Sequence, residues 1–227
     1  QQHSLDQGLA VRAAGAGTIA VVDYGMGNLR SVWQALARVA GEGAVTVTAD
    51  PAEVLGADRV VFPGQGAMPD CMRELDARGL RGAVVEAARH KPFLGICIGL
   101  QMLFEHSEEG DVGGLGVFAG GVRRFAANDM VGPAGEKLKV PHMGWNEVVH
   151  TRSHALWNGI ADATRFYFVH SYHVAPVDRA CIAGTTVYGV PFTSAVAQDN
   201  IFAIQCHPEK SADAGLALLS NFVHWKP

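Results

Sequence analysis

The chain has 227 residues, 48% of them hydrophobic and 18% charged, long enough for one substantial α/β core and short for two. A formal net charge of -4 with 18 scattered Lys and Arg residues argues against a nucleic-acid partner. No apolar run reaches the roughly 18 residues of a membrane span and no basic-then-apolar leader opens the chain, so no membrane partner and a cytoplasmic location are expected.

Residues 1–17 lack periodicity and are rich in Gln, Ala and Gly; they are expected to be a disordered extension or expression remnant, with the domain itself spanning 18–227. The first strand is predicted at 18–23, giving way through Tyr24-Gly25-Met26-Gly27 to a helix capped by Asn28. Leu29, Val32, Trp33, Leu36 and Val39/Ala40 recur at helical spacing, and Gly41 can end that helix. Strands follow at 44–49 and 58–62, a helix at 80–90, and a strand at 92–97 that turns into another helix. This alternation predicts an α/β fold with a central, mostly parallel sheet flanked by helices. Beyond about residue 112, short strand-like segments joined by turns predict an added antiparallel portion that returns to the sheet. A last helix over 212–225 carries Leu216, Leu219, Phe222 and Val223 on one face.

Four cysteines without C-x-x-C spacing, Cys71, Cys97, Cys181 and Cys206, argue against a disulfide framework or a cysteine zinc site. Cys97 stands out because Gly95 and Gly99 flank it where an apolar strand meets a helix, the cysteine counterpart of the G-x-S-x-G nucleophile elbow. A sharp strand-to-helix turn needs small neighbours, presents the thiol at the sheet edge, and places it among free N–H groups that favour thiolate. The Ile98 N–H becomes an oxyanion donor. Alone, such a cysteine would read as one more small buried residue.

The segment Gln205-Cys206-His207-Pro208-Glu209-Lys210-Ser211 changes that reading. It follows an apolar strand, and strand ends are where sites form in open α/β sheets. His207 can take the thiol proton and return it to a leaving amine, while Glu209 holds the other imidazole N–H.

With G-x-C-x-G and a late H-P-E in place, residues 18–227 resemble the class I, or triad, glutamine amidotransferases. Asp23-Tyr24-Gly25-Met26-Gly27-Asn28, Pro63-Gly64-Gln65-Gly66-Ala67-Met68, Lys139-Val140-Pro141-His142-Met143-Gly144-Trp145-Asn146 and Phe168-Val169-His170-Ser171-Tyr172-His173 are similar to the branch that serves imidazole glycerol phosphate synthase. The resemblance implies hydrolysis of L-glutamine through a Cys97 thioester, no cofactor, and transfer of ammonia to a TIM-barrel cyclase subunit in a heterodimer. It implies a second oxyanion donor at the Gln65 N–H between Gly64 and Gly66, whose freedom at positive φ would let that peptide reorient. It further implies glutamine contacts from Gln101, Glu109, Tyr167, Ser171 and Tyr172, and a partner face that includes Asn28, His142, Trp145 and Lys210. Cys206 departs from the family, which more often has a bulky aromatic there.

Other class I pathways share the triad, and a free-standing peptidase or γ-glutamyl hydrolase, or a binding module without activity, are the alternatives. His150-x-x-x-His154 and His170-x-x-His173 lack the Glu or Cys partners of a zinc site, and no metal is expected.

Overall fold

The computed structural model describes residues 17–227, so the expected extension lies, but for Gly17, outside the described residues. Four strands carry continuously buried runs: β1 (Ile19–Val22), β3 (Arg59–Gly64), β4 (Phe93–Cys97) and β13 (Ile201–Ile204). Together with β2 (Val45–Thr48) they run parallel in the order β2-β1-β3-β4-β13. Such runs require cover on both faces, and the helices provide it. These are α1 (Leu29–Ala40), α2 (Pro51–Gly56), α3 (Met68–Ala77), α4 (Arg81–His90), α5 (Ile98–Met102) and α6 (Ala212–His224), with α1 packed on α6 and α2 on α4.

The added portion is antiparallel, as the later half of the sequence predicted. β12 (Val190–Gln198) pairs with β13 and passes the sheet on to β10 (Tyr172–Pro176) and β7 (Gly120–Arg124). The short strands β5 (His106–Ser107), parallel to β7, and β6 (Val112–Gly113), antiparallel to β5, finish that edge. A side layer runs from β12 through β11 (Ile182–Tyr188) to β8 (His142–His150) and β9 (Thr164–His170).

Two helices were not anticipated. α2 has Asp50 accepting the Ala52 N–H at 2.9 Å and Pro51 in its first turn, and α3 buries Met68, Cys71, Met72 and Leu75 at helical spacing. Asn28 does occupy the position before α1, but its side chain makes no capping bond; only its carbonyl accepts Val32 N–H at 3.1 Å. On α6 the buried face is Gly215, Leu218, Leu219, Phe222 and Val223, while Leu216 is only half-buried. The face is turned because Gly215, where a Cβ would lie 1.8 Å from the Pro208 carbonyl oxygen, lets the helix backbone press on the 208–210 turn.

Candidate active site

β4 ends at Cys97, whose φ of 56° and ψ of -112° put a non-glycine residue in a sparsely populated region at a cost of about 1–3 kcal/mol. Tight packing holds it there. A Cβ on Gly99 would come 2.0 Å from the Phe62 carbonyl oxygen, and one on Gly95 3.0 Å from the Ala203 Cβ, so both glycines serve the close approach of β3 and β13 to the elbow. Cys97 pairs in register with Gly64 and is 2% exposed. Since α5 has five residues, its macrodipole is small, and the electrostatic help expected from a full helix reduces to the free N–H groups of one turn.

Beyond β13 the chain turns back toward that sulfur. His207 Nδ1 lies 2.6 Å from Glu209 Oε1, with the two side chains 3% and 2% exposed. A carboxylate at Nδ1 fixes the proton there and leaves Nε2 as the reactive nitrogen. Nε2 is buried without a hydrogen-bond partner. Burial pulls the imidazolium down, but the charge that the neighbouring Cys97 sulfur can carry, followed by Glu209, outweighs it and raises the His207 pKa to about 10. The loop is stitched to β9: His207 N–H donates to Tyr167 O at 2.9 Å, Tyr167 N–H to Ser211 Oγ at 3.0 Å, and Ser211 O–H to His207 O at 2.6 Å.

Cys97 opens into a cavity of about 320 Å³ that brings together Ile98, Gln65, Gly66, Gln101, Glu109, Ser171 and Tyr172 from the sequence-derived set. Pro141, Val169 and His170 also line it and were not singled out for it. Glu109 ties the cavity to the start of α3 by accepting the Met68 N–H at 2.6 Å. Gly64 and Tyr167 are not among the lining residues. Tyr167 lies two residues before Val169 along β9, its ring edge-on to Trp145 at 6.1 Å, and only its backbone serves the site. A larger hollow of about 850 Å³ around His150 and Trp157 is lined by none of Cys97, His207 and Glu209.

The two glycines around Gln65 have different reasons. Gly66 has φ of +100°, which favours glycine. Gly64 has no positive φ; a Cβ there would meet the Tyr24 hydroxyl at 2.5 Å. That hydroxyl donates to Pro63 O at 2.7 Å, and the Cys71 thiol donates to Gln65 O at 3.5 Å. Burial pushes the Cys71 thiol up to about 12, which keeps it a donor.

His142 corrects the expected partner face. It is 4% exposed, bonded to His170 and stacked on Tyr188 at 4.1 Å. Strand alternation explains this, since His142 and Trp145 sit at positions of opposite parity and cannot share a face. Trp145 and its neighbour Met143 are 50% and 62% exposed, whereas Asn28 and Lys210 are half-buried.

The histidines considered for a metal have other work. His150 stacks on Trp157 at 4.3 Å, His154 Nδ1 accepts the Leu156 N–H, His170 joins His142, and His173 packs on Phe125. Among the described residues no three His, Cys, Asp or Glu side chains gather as a metal site. No described helix is long and apolar enough to cross a membrane. Cys206 is 2% exposed, and burial, followed by the Glu209 charge, holds its thiol well above the usual range. It is thus a poor nucleophile despite lying beside His207.

Residues 20–225 match the model of the class I glutamine amidotransferase family. The chain is 70% identical to the imidazole glycerol phosphate synthase subunit HisH of Dechloromonas aromatica, over 92% of this chain and 97% of that one. It is 65% identical to the subunit of the same name from Aromatoleum aromaticum, over 92% and 99%. The glutaminase domain of Trypanosoma brucei CTPS, solved with bound acivicin, shares the fold with a TM-score of 0.61 at 18% identity, over 90% of this chain and 93% of that one. The chain therefore belongs to the class I glutamine amidotransferases, enzymes that hydrolyse glutamine, in the branch of the HisH subunits.

Proposed function

We propose that the chain is the glutaminase subunit of imidazole glycerol phosphate synthase, with Cys97, His207 and Glu209 as its catalytic triad. The observation that carries the triad is the buried, unpartnered Nε2 of an imidazole anchored on Glu209 and electrostatically coupled to a strained cysteine. Cys97 Sγ, its proton taken by His207, attacks the glutamine amide carbon. The Ile98 and Gln65 N–H groups receive the oxyanion. His207 then protonates the departing ammonia and a thioester remains. Water, activated by the same imidazole, adds to the thioester and releases glutamate and the thiol. Gln101, Glu109, Ser171 and Tyr172 bind the substrate's amino acid end. The cavity, about 320 Å³, is at the small end of ligand pockets and suits a single amino acid better than a peptide.

Ammonia passes to a TIM-barrel cyclase subunit docked on the exposed face of Met143 and Trp145 in a cytoplasmic heterodimer, where it reacts with a phosphoribulosyl-formimino aminoimidazole carboxamide ribotide. The Gln65 peptide turns fully toward the oxyanion only when that partner holds its nucleotide substrate, so the chain alone is slow. The test is glutamate release from glutamine by this chain alone and with the cyclase plus its ribotide. Weak activity that rises by orders of magnitude on mixing supports the reading. Full activity alone, or indifference to the cyclase, assigns the triad to another pathway, and survival of turnover in Cys97→Ala removes the nucleophile.

A further inference from the structure

Gln205 takes no part in the reaction as written, yet its side chain is completely buried between the nucleophile and the substrate pocket. Its orientation follows from a backbone carbonyl. Tyr172 O can only accept, and two side chains donate to it, Gln101 Nε2 at 3.2 Å and His170 Nδ1 at 2.8 Å. Gln101 therefore presents its nitrogen to Tyr172 and, through the second N–H, to a Gln205 atom at 3.0 Å that has to be the oxygen. The Gln205 NH2 group is then turned the other way, 3.6 Å from Cys97 Sγ.

The other branch agrees from an independent end. With its proton on Nδ1, His170 accepts at Nε2 from His142 Nδ1 at 2.9 Å, and His142 Nε2 accepts from Asn146 Nδ2 at 3.2 Å. The Asn146 amide is itself fixed by backbone, its Nδ2 donating to Val187 O at 2.9 Å and its Oδ1 accepting Glu147 N–H at 2.7 Å. The donor-to-acceptor order thus closes without conflict from β8 to the nucleophile.

We infer that Gln205 is a positioning residue for the nucleophile: its amide N–H donates to Cys97 Sγ, while its Oε1 holds Gln101 so that the unpartnered Gln101 Oε1 can take an N–H of bound glutamine. The two roles are coupled, because one planar amide serves both sides. Gln101 Oε1 is indeed buried without a partner, as expected of an acceptor kept for substrate. A hydrogen bond to sulfur strengthens as the sulfur gains charge, so the donor helps most in the thiolate and as the thiol is regenerated. This inference rests on Cys97 being the nucleophile.

The test is the pH dependence of Cys97 alkylation by iodoacetamide on the full chain, with Cys97→Ala as background, beside the kcat and KM of glutamine hydrolysis. Gln205→Met conserves length and removes both bonds. Its alkylation midpoint should rise by about one pH unit, the size expected for a lost hydrogen bond to a charged group, and KM should rise several-fold as Gln101 is freed. A purely packing role would leave the midpoint unmoved in the folded variant, and that result overturns the inference. Should Gln205→Met fail to fold, Gln205→Asn, which keeps the amide but is one methylene too short to span both partners, carries the same test. Wild-type alkylation or turnover in Cys97→Ala would instead refute the nucleophile assignment and leave the Gln205 measurement without its premise.

Discussion

Gly99→Ala tests whether the elbow is held by backbone contact rather than by sequence habit. The new Cβ would stand 2.0 Å from the Phe62 carbonyl oxygen and 3.0 Å from its carbon, whereas a carbon meets a carbonyl oxygen at about 3.3 Å even in a favourable contact. A gap of roughly 1.3 Å has to open, and the atom in the way belongs to β3, a central strand bonded on both sides, not to a flexible side chain. Overpacking of this kind costs about 1–3 kcal/mol. At roughly 2–4 °C per kcal/mol for a chain of this size, Tm falls by about 2–12 °C. Displacing the elbow by about 1 Å from the His207 loop lowers glutamine turnover on the order of 100-fold. Gly82 is the control, since it lies on the exposed side of α4 with nothing within 4 Å of a Cβ. Gly82→Ala should stabilise the chain by about 0.5–1 kcal/mol and leave turnover alone. Circular dichroism melts and a coupled glutamate assay read both. A Gly99→Ala chain with wild-type Tm and turnover would refute the packing argument.

Tyr24→Phe leaves Pro63 O without its 2.7 Å donor, a loss of about 1–3 kcal/mol that should lower the urea midpoint; an unchanged midpoint would show that water replaces the hydroxyl. The histidines predict opposite pH windows. Burial pulls His170 down to about 3 and His142 to about 4, so the unfolded chain, with imidazoles near 6.5, binds their protons first. Their contribution is complete above pH 6.5 and is lost as pH falls toward 4 and below. His170→Phe should therefore lose less of its urea midpoint than wild type between pH 7 and 5, and equal losses would count against a neutral buried pair. His207 runs the other way: raised to about 10, its contribution is complete below pH 6.5 and disappears as pH rises through 10. The stability gap between wild type and His207→Gln should close over that range, and a constant gap would contradict the coupling to Cys97.

The sequence showed the elbow and the late His-Pro-Glu because their requirements are local: a glycine two residues either side of Cys97, and an acid two residues past His207. The parallel strands were legible for a similar reason, since strands buried on both faces read as unbroken apolar runs such as IAVV and IFAI. α3 is harder to see, although Met68, Cys71, Met72 and Leu75 have helical spacing, because only ten residues carry the pattern and Pro69 stands at its start. His142 was placed on the wrong face although the period of two along β8 contained the answer. Gln205 is not legible in this way, because its role depends on which atom of Gln101 meets Tyr172 O, and those contacts join segments 71 and 104 residues apart in the chain.

The two sides of the cavity differ in stiffness, and that difference bears on where control can act. On the His207 side Tyr167 N–H, Tyr167 O and Ser211 Oγ form a closed set of bonds around that residue, and the Tyr167 ring meets the exposed Trp145. Moving the base would break several bonds at once. On the oxyanion side the Gln65 N–H belongs to the peptide shared with Gly64, and the side-chain contact next to it, from the Cys71 thiol at 3.5 Å, falls on Gln65 O in the following peptide and is weak. Gly64, which has no Cβ, lies at the pivot of the peptide that carries the Gln65 N–H, and Gly66 at positive φ follows it, so the segment has backbone freedom on both sides of Gln65. For the partner gating proposed above, the Gly64–Gln65 peptide is thus an easier element to turn than the bonded loop around His207, which can stay in place.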